Sequence, residues 1–168
     1  MEAERKKQSF FPSSLTSCIF SLLDRICPLP PLNIMDEKKD IMFACVHNAG
    51  RSQMAAAFFN RHKHRDDVRG ISAGTNPASE VHPVVRSIMA EKNFDLSSIQ
   101  PVLLTPELAG TVSTIVTMGC GETCPYVPGV EIVDWQITDP KNKETEEARA
   151  IRDDIESRII AFIGEHQL

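Results

Sequence analysis

The sequence predicts an α/β domain, a small doubly wound, four-stranded parallel sheet with helices on both faces. Three observations point there. Short apolar runs alternate with helix-periodic segments from Asp40 to the end, the first run passes through a tight loop straight into a helix, and the closing segment carries an apolar face at helical spacing. Right-handed crossovers between parallel strands leave few other arrangements for that order. Ligands of such sheets sit beyond the carboxyl ends of the strands, so the loops 45–51, 119–129 and 136–143 are expected to converge there.

Ile41 to Cys45 is an apolar run of strand length, and Ser52 to His64 after it favours a helix with Met54, Ala55, Phe58 and Phe59 as its apolar positions. Val68 to Ala73 predicts a second strand and Gly74-Thr75-Asn76-Pro77 a turn. Pro83 suits the first turn of a helix running through Lys92, with Val84, Val85, Ile88 and Met89 facing inward. The β-branched stretch Thr114 to Met118 predicts the third strand, and Val130 to Trp135 the fourth. In the last helix Ala148, Ile151, Ile155, Ile159, Phe162 and Ile163 share one face, while Arg149, Arg152, Asp153, Asp154 and Glu156 lie elsewhere.

A chain of 168 residues with 42% hydrophobic and 24% charged content has ordinary globular usage and material for one core. The expected domain is 35–168. Residues 1–34 follow no regular period: Arg5, Lys6 and Lys7 precede an apolar stretch that Pro12 and scattered Ser and Thr interrupt. The segment therefore reads as a disordered or loosely docked extension rather than a secretory signal or membrane helix. Met35, ahead of Asp36-Glu37-Lys38-Lys39-Asp40, resembles a natural beginning and an alternative start. A net charge of -5 and a pI near 5.5 argue against a nucleic-acid partner, so any bound anion must be held locally. Cys18, Cys27, Cys45, Cys120 and Cys124 are too few, and odd in number, for a secreted disulfide framework. A cytoplasmic monomer with reduced thiols is expected.

The chemistry concentrates in Cys45-Val46-His47-Asn48-Ala49-Gly50-Arg51, closed by Ser52. A Cys ending a buried strand, five loop residues and an Arg opening a helix let successive backbone N–H groups of residues 46–52 turn inward. They can cradle a tetrahedral oxyanion at the positive end of the helix dipole. Arg51 adds a planar fork for two oxygens, and the same partial charges favour a thiolate at Cys45, to which Ser52 can donate. Gly50 permits close approach or positive φ, and Asn48 tolerates left-handed geometry. The competing reading is a small core hydrophobe at Cys45, and it leaves the conjunction of Cys, Asn, Gly, Arg and Ser unexplained. His47 reads as a solvent-facing loop residue. His62, His64, His82 and His166 fall on helix surfaces or ends, with no catalytic assignment. No Gly-Lys-Ser or Gly-Lys-Thr follows a glycine-rich turn, which disfavours a nucleotide enzyme.

The loop CVHNAGRSQMA, with SAGTNP at 72–77, MGCGETCP at 118–125, DWQITDP at 134–140 and the helix ARAIRDDI, resembles the low-molecular-weight protein tyrosine phosphatase family. Within it, the sequence resembles the arsenate reductases coupled to thioredoxin. The likeness runs from about residue 40 to the end, with every motif in the family's order. It implies that Cys45 attacks an arsenate or phosphate oxyanion held by residues 46–52 and that Asp139, before Pro140, protonates the leaving oxygen. It further implies that Cys120 attacks Cys45 and Cys124 then attacks Cys120. The final disulfide would pass to thioredoxin or a glutaredoxin-type reductant, with neither a bound cofactor nor a metal.

Phosphatases of the family hydrolyse the cysteine adduct with water, whereas reductases resolve it with a second thiol. Cys120 and Cys124, in a glycine-rich loop, favour the reductase. Lys141-Asn142-Lys143 after the Asp-Pro pair, where the eukaryotic-like phosphatases commonly place aromatic residues, also favours a small inorganic anion, although Tyr126 and Trp135 could border the site. The alternatives are a phosphomonoester phosphatase working through a phosphocysteine at Cys45, and a redox sensor without turnover. Half a zinc site at Cys120 and Cys124 is disfavoured, because no second Cys or His pair has suitable spacing. Asp134 competes with Asp139 as the acid but falls on the predicted fourth strand. The loop departs from many relatives in Val46-His47 and Gly50.

Overall fold

The computed structural model describes residues 39–120 and 124–168, so the expectations for residues 1–34, with Cys18, Cys27 and Met35, lie outside the described residues. One compact unit comprises Glu37–Leu168. Its elements are β1 (Ile41–Cys45), α1 (Arg51–His62), β2 (Gly70–Gly74), α2 (Pro83–Ala90), α3 (Pro106–Ala109), β3 (Thr114–Thr117), β4 (Glu131–Asp134) and α4 (Thr145–His166). The four strands pair in parallel in the order β2-β1-β3-β4. The chain leaves β1 toward one edge and then crosses back to β3, so the order reverses between β1 and β3. That reversal opens a crevice beyond their carboxyl ends, where the Cys45 loop and the loop after β3 both begin.

β1 is buried at all five positions, as a central parallel strand requires. Its alternate residues feed two clusters. Ile41, Phe43 and Cys45 face the larger one with Phe58 and Phe59 of α1, Ile88 and Met89 of α2, and Ile155, Ile159 and Phe162 of α4. Met42 and Ala44 face the smaller one with Leu104, Ala109, Val112, Ile115 and Val130. Helices therefore lie on both faces, but unequally: the second face is covered by the single turn of α3 and by irregular chain. The sequence reading lacked α3, although Thr105 followed by Pro106 carries its signal. The Thr105 hydroxyl accepts the Leu108 N–H at 3.2 Å, and proline occupies the first helical position.

Other differences have local causes. β2 starts at Gly70 rather than Val68, because the preceding Arg69 N–H is taken by the Asp40 carboxylate at 3.0 Å instead of a sheet partner. α1 ends at His62, where Lys63 leaves helical geometry at ψ 145°. α2 stops at Ala90, ahead of a turn in which Asn93 takes φ 60°. Arg152, read as lying off the apolar face of α4, is buried and donates to the Ile88 carbonyl at 2.8 Å and to Glu91 at 3.0 Å. Among the described residues no helix is long and apolar enough to cross a membrane.

Candidate active site

Cys45 ends β1 with its side chain buried, and the loop after it is held from outside by its carbonyls. Those of Cys45, Val46, His47 and Ala49 accept the N–H groups of Thr75 (3.3 Å), Asn76 (2.8 Å), Ala78 (2.9 Å) and His82 (2.9 Å). In a trans peptide the N–H of the next residue points opposite to its carbonyl. No described peptide bond is cis, so the amides of Val46, His47, Asn48 and Gly50 turn away from that wall, toward the inside of the loop. They line a concave loop at the N-terminus of α1, a geometry that suits a tetrahedral oxyanion. The wall explains the SAGTNP motif. A side chain at Gly74 would stand 2.7 Å from the Val46 carbonyl and 2.8 Å from the Asn48 nitrogen, so only glycine lets β2 lie this close.

Asn48 takes φ 48° and is fully buried. Its side-chain oxygen accepts the Val102 N–H at 2.8 Å and the Gln53 amide at 3.0 Å, and its nitrogen donates to the Ser52 hydroxyl oxygen at 2.8 Å. The Val102 N–H can only donate, which settles the orientation of the amide. Ser52 Oγ accepts from Asn48, so its own proton is left for the Cys45 sulfur, 3.0 Å away. A backbone amide on residue 102 thereby directs an O–H donor at the Cys45 sulfur, the arrangement that suits a thiolate. Gly50 takes φ −146°, so of its two expected uses only close approach applies: a side chain there would meet Pro140 at 3.2 Å.

Arg51 opens α1 with a buried side chain whose guanidinium reaches across to the loop after β4. It donates to the Ile137 carbonyl at 3.1 Å and to the Asp139 carboxylate at 2.7 Å. The second Asp139 oxygen accepts the Lys141 N–H at 2.9 Å, an Asx turn that shapes this loop. Gly119, at φ 77°, makes room for the guanidinium, since a side chain there would lie 2.6 Å from Nη1. His47 departs from its solvent-facing expectation: its Nδ1 is buried without a hydrogen-bond partner, and its ring lies 6.5 Å from that of His82. Burial holds the His82 imidazole below its ordinary value, Asp139 opposes this, and Lys141 and His47 add to it.

Cys120 and Cys124 are both thiols, and they interact. The Cys124 S–H bond to the Cys120 sulfur pulls Cys120 down to about 7, opposed by burial, aided by the backbone around Met118 and Cys120, and opposed by Asp134. Cys124, as the donor, is pushed up by the same bond and by burial. Cys120 is therefore the more readily ionised thiol of the pair. Its side chain packs in the smaller cluster, across the sheet from the one that holds Cys45, with its sulfur 3.9 Å from the Ala44 carbonyl. The structure thus brings Cys45, Asn48, Arg51, Ser52 and Asp139 into one site and sets the thiol pair on the other face.

The family model for low molecular weight phosphotyrosine protein phosphatase matches residues 40–168. The chain belongs to that family. A Halobacterium salinarum relative, provisionally named an arsenate reductase, is 39% identical over 127 residues, 73% of this chain and 89% of its own length. A solved thioredoxin-dependent arsenate reductase of Corynebacterium glutamicum is 34% identical with a TM-score of 0.67. The match covers 80% of this chain but 64% of that one, so this chain spans less than two thirds of that protein's length. An arginine phosphatase from Geobacillus stearothermophilus is 25% identical with a TM-score of 0.64, over 77% of this chain and 93% of its own. In this member of the phosphatase family Trp135 packs between Phe43 and Phe162 in the core, at 6.4 and 5.9 Å, and Tyr126 is 80% exposed. Sequence reasoning missed Gln53, Val102, Gly74 and Gly119 as supports of the loop. Gly74 lay inside a recognised motif, but contacts across 54 residues, such as that of Val102 with Asn48, leave no local signal.

Proposed function

We propose that this phosphatase-family chain reduces arsenate to arsenite. The Cys45 thiolate attacks arsenic while Arg51 and the loop amides hold the other oxygens, and the leaving oxygen departs as water with a proton from Asp139. The Cys120 thiolate then attacks the Cys45 sulfur. The sulfur–arsenic bond breaks with its electron pair staying on arsenic, which leaves as arsenite, and a Cys45–Cys120 disulfide remains. Cys124 next attacks Cys120 and frees Cys45. An external dithiol, thioredoxin in this reading, supplies two electrons to the Cys120–Cys124 disulfide in the reducing cytoplasm.

The observation that carries this reading is the hydrogen-bonded pair Cys120 and Cys124, whose contact lowers the Cys120 thiol, on a loop rooted beside the Cys45 loop. The names of the relatives support it. For the relay to run, the loop after β3 must carry Cys120 from its own face toward Cys45.

Arsenate should drive NADPH oxidation when thioredoxin and thioredoxin reductase are present, and Cys45→Ser should abolish it. Replacing both Cys120 and Cys124 by Ser should stop arsenate reduction while leaving hydrolysis of an aryl phosphate. Glutaredoxin supporting turnover where thioredoxin does not would change the donor alone. Absence of arsenate turnover beside brisk aryl phosphate hydrolysis would instead establish the second reading, a phosphatase working through phosphocysteine. The cradle suits phosphate equally well, and the arginine phosphatase resemblance favours that reading.

A further inference from the structure

We propose that Asp134 accepts the proton of Cys124 in the second thiol exchange, an inference that rests on the reductase reading above. Asp134 ends the edge strand β4 in register with Thr117 of β3. The Thr117 hydroxyl donates to one of its oxygens and the Gln136 amide to the other, so the carboxylate is fixed at the root of the Cys120 loop. Cys124 and Asp134 line the same groove, of about 420 Å³, together with Thr117, Gly119, Ile132 and Gln136. Among the described lining residues Asp134 is the one carboxylate. Among the described residues of the loop after β3, Cys120 also feels the Asp134 charge directly.

The need for an acceptor follows from the order of the exchanges. In the resting pair the Cys124 proton is directed at the Cys120 sulfur. Once Cys120 is joined to Cys45, that sulfur carries no negative charge, and the proton must go elsewhere before Cys124 can attack. The step balances as written. The Cys124 S–H bond breaks and its proton passes to the Asp134 carboxylate. The freed electron pair forms the Cys124–Cys120 bond, and the Cys120–Cys45 bond breaks with Cys45 leaving as a thiolate. One disulfide replaces another, so no oxidant or reductant is consumed. A carboxylate is a far stronger base than water, and a positioned base contributes roughly 10²–10⁴-fold. Asp134 is exposed to solvent, which puts the expected effect at or below the lower end of that range.

The test is single-turnover reduction of arsenate by the reduced full-length chain, quenched with an alkylating agent and resolved by mass spectrometry. Wild type should proceed to the Cys120–Cys124 disulfide. In Asp134→Asn the Cys45–Cys120 disulfide should accumulate, its conversion slowed about tenfold at pH 7 and recovering as pH approaches the thiol range, with Asp134→Glu restoring most of the rate. Conversion in Asp134→Asn at the wild-type rate across pH would overturn the proposal. Should that variant not fold, the wild-type profile decides. A carboxylate acceptor keeps the conversion nearly level between about pH 6 and 8, whereas unaided thiol ionisation raises it about tenfold per pH unit. Absence of any intramolecular disulfide in wild type would instead sink the reductase reading itself.

Discussion

Asn48→Asp is the sharpest probe of the site, because it keeps the shape of the side chain and reverses one donor. Aspartate tolerates the left-handed backbone of residue 48, and its nearer oxygen can still accept from Val102 and Gln53. Its other oxygen cannot donate to Ser52. The Ser52 hydroxyl, 2.8 Å away, then turns its proton to the new carboxylate, and the Cys45 sulfur loses its donor. A hydrogen bond to a charged group is worth about 1.5–3 kcal/mol. At about 1.4 kcal/mol per decade this corresponds to a roughly 10- to 100-fold fall in reactivity. The added negative charge acts in the same direction. The assay is the rate of Cys45 alkylation at pH 7 in a chain carrying Ser at positions 120 and 124, with kcat/KM for an aryl phosphate beside it. Urea unfolding should show a loss of stability in Asn48→Asp from the buried carboxylate, limited by the hydrogen bonds it keeps. In Asn48→Ala, by contrast, the Val102 N–H loses its partner, at about 1–3 kcal/mol, and an alanine in left-handed geometry adds about 1 kcal/mol. A well-folded Asn48→Asp chain that reacts at the wild-type rate would refute the donor chain from Val102 through Asn48 and Ser52 to Cys45.

Gly119→Ala places a methyl group 2.6 Å from Arg51 Nη1 at a positive φ, so the guanidinium must give up its present seat between Ile137 and Asp139. The affinity for inorganic phosphate, read by calorimetry, should fall about tenfold or more, with a stability loss of about 1–2 kcal/mol. Cys124→Ala removes the largest influence lowering Cys120. In a Cys45→Ser background, wild-type Cys120 should be alkylated with a midpoint near pH 7, and Cys124→Ala should move that midpoint upward. Below its midpoint Cys120 gains the proton and its attack slows. With Cys45 intact, the single-turnover release of arsenite should therefore fall off on the acid side of pH 7 in wild type and at higher pH in Cys124→Ala, which stops at the Cys45–Cys120 disulfide.

How much of this was legible in the sequence depended on distance along the chain. The sheet and its long helices were readable because their signals are periodic: the apolar face of α4, Ala148 through Ile163, is buried as its spacing predicts. The loop from Cys45 to Ser52 was legible because its residues act together within eight positions. What escaped was the architecture that tensions it. Val102 and Asn48 meet across 54 residues, and Arg51 and Asp139 across 88. Asp139 could be named only through the family's motif, and Val102 through nothing. Periodicity also misplaced Arg152, because an arginine can be buried where a helix carbonyl such as that of Ile88 and an acid such as Glu91 receive its donors.

The pairing of functions across the sheet explains why one scaffold can serve two chemistries. In the proposed reading the cradle depends on β1, β2 and α1, and its amides, dipole and Arg51 would read charge and tetrahedral shape, which arsenate and phosphate share. The discriminating thiols sit on the loop after β3, and Cys120 packs against the opposite face, so they can be gained or lost without touching the cradle's wall. Gly119 is the exception. It precedes Cys120 and also gives Arg51 its space, so the proposed movement of the loop that brings Cys120 toward Cys45 must pivot beside the Arg51 guanidinium. A substitution there should impair anion binding and thiol transfer together, whereas changes at Cys124 or Asp134 should affect transfer alone.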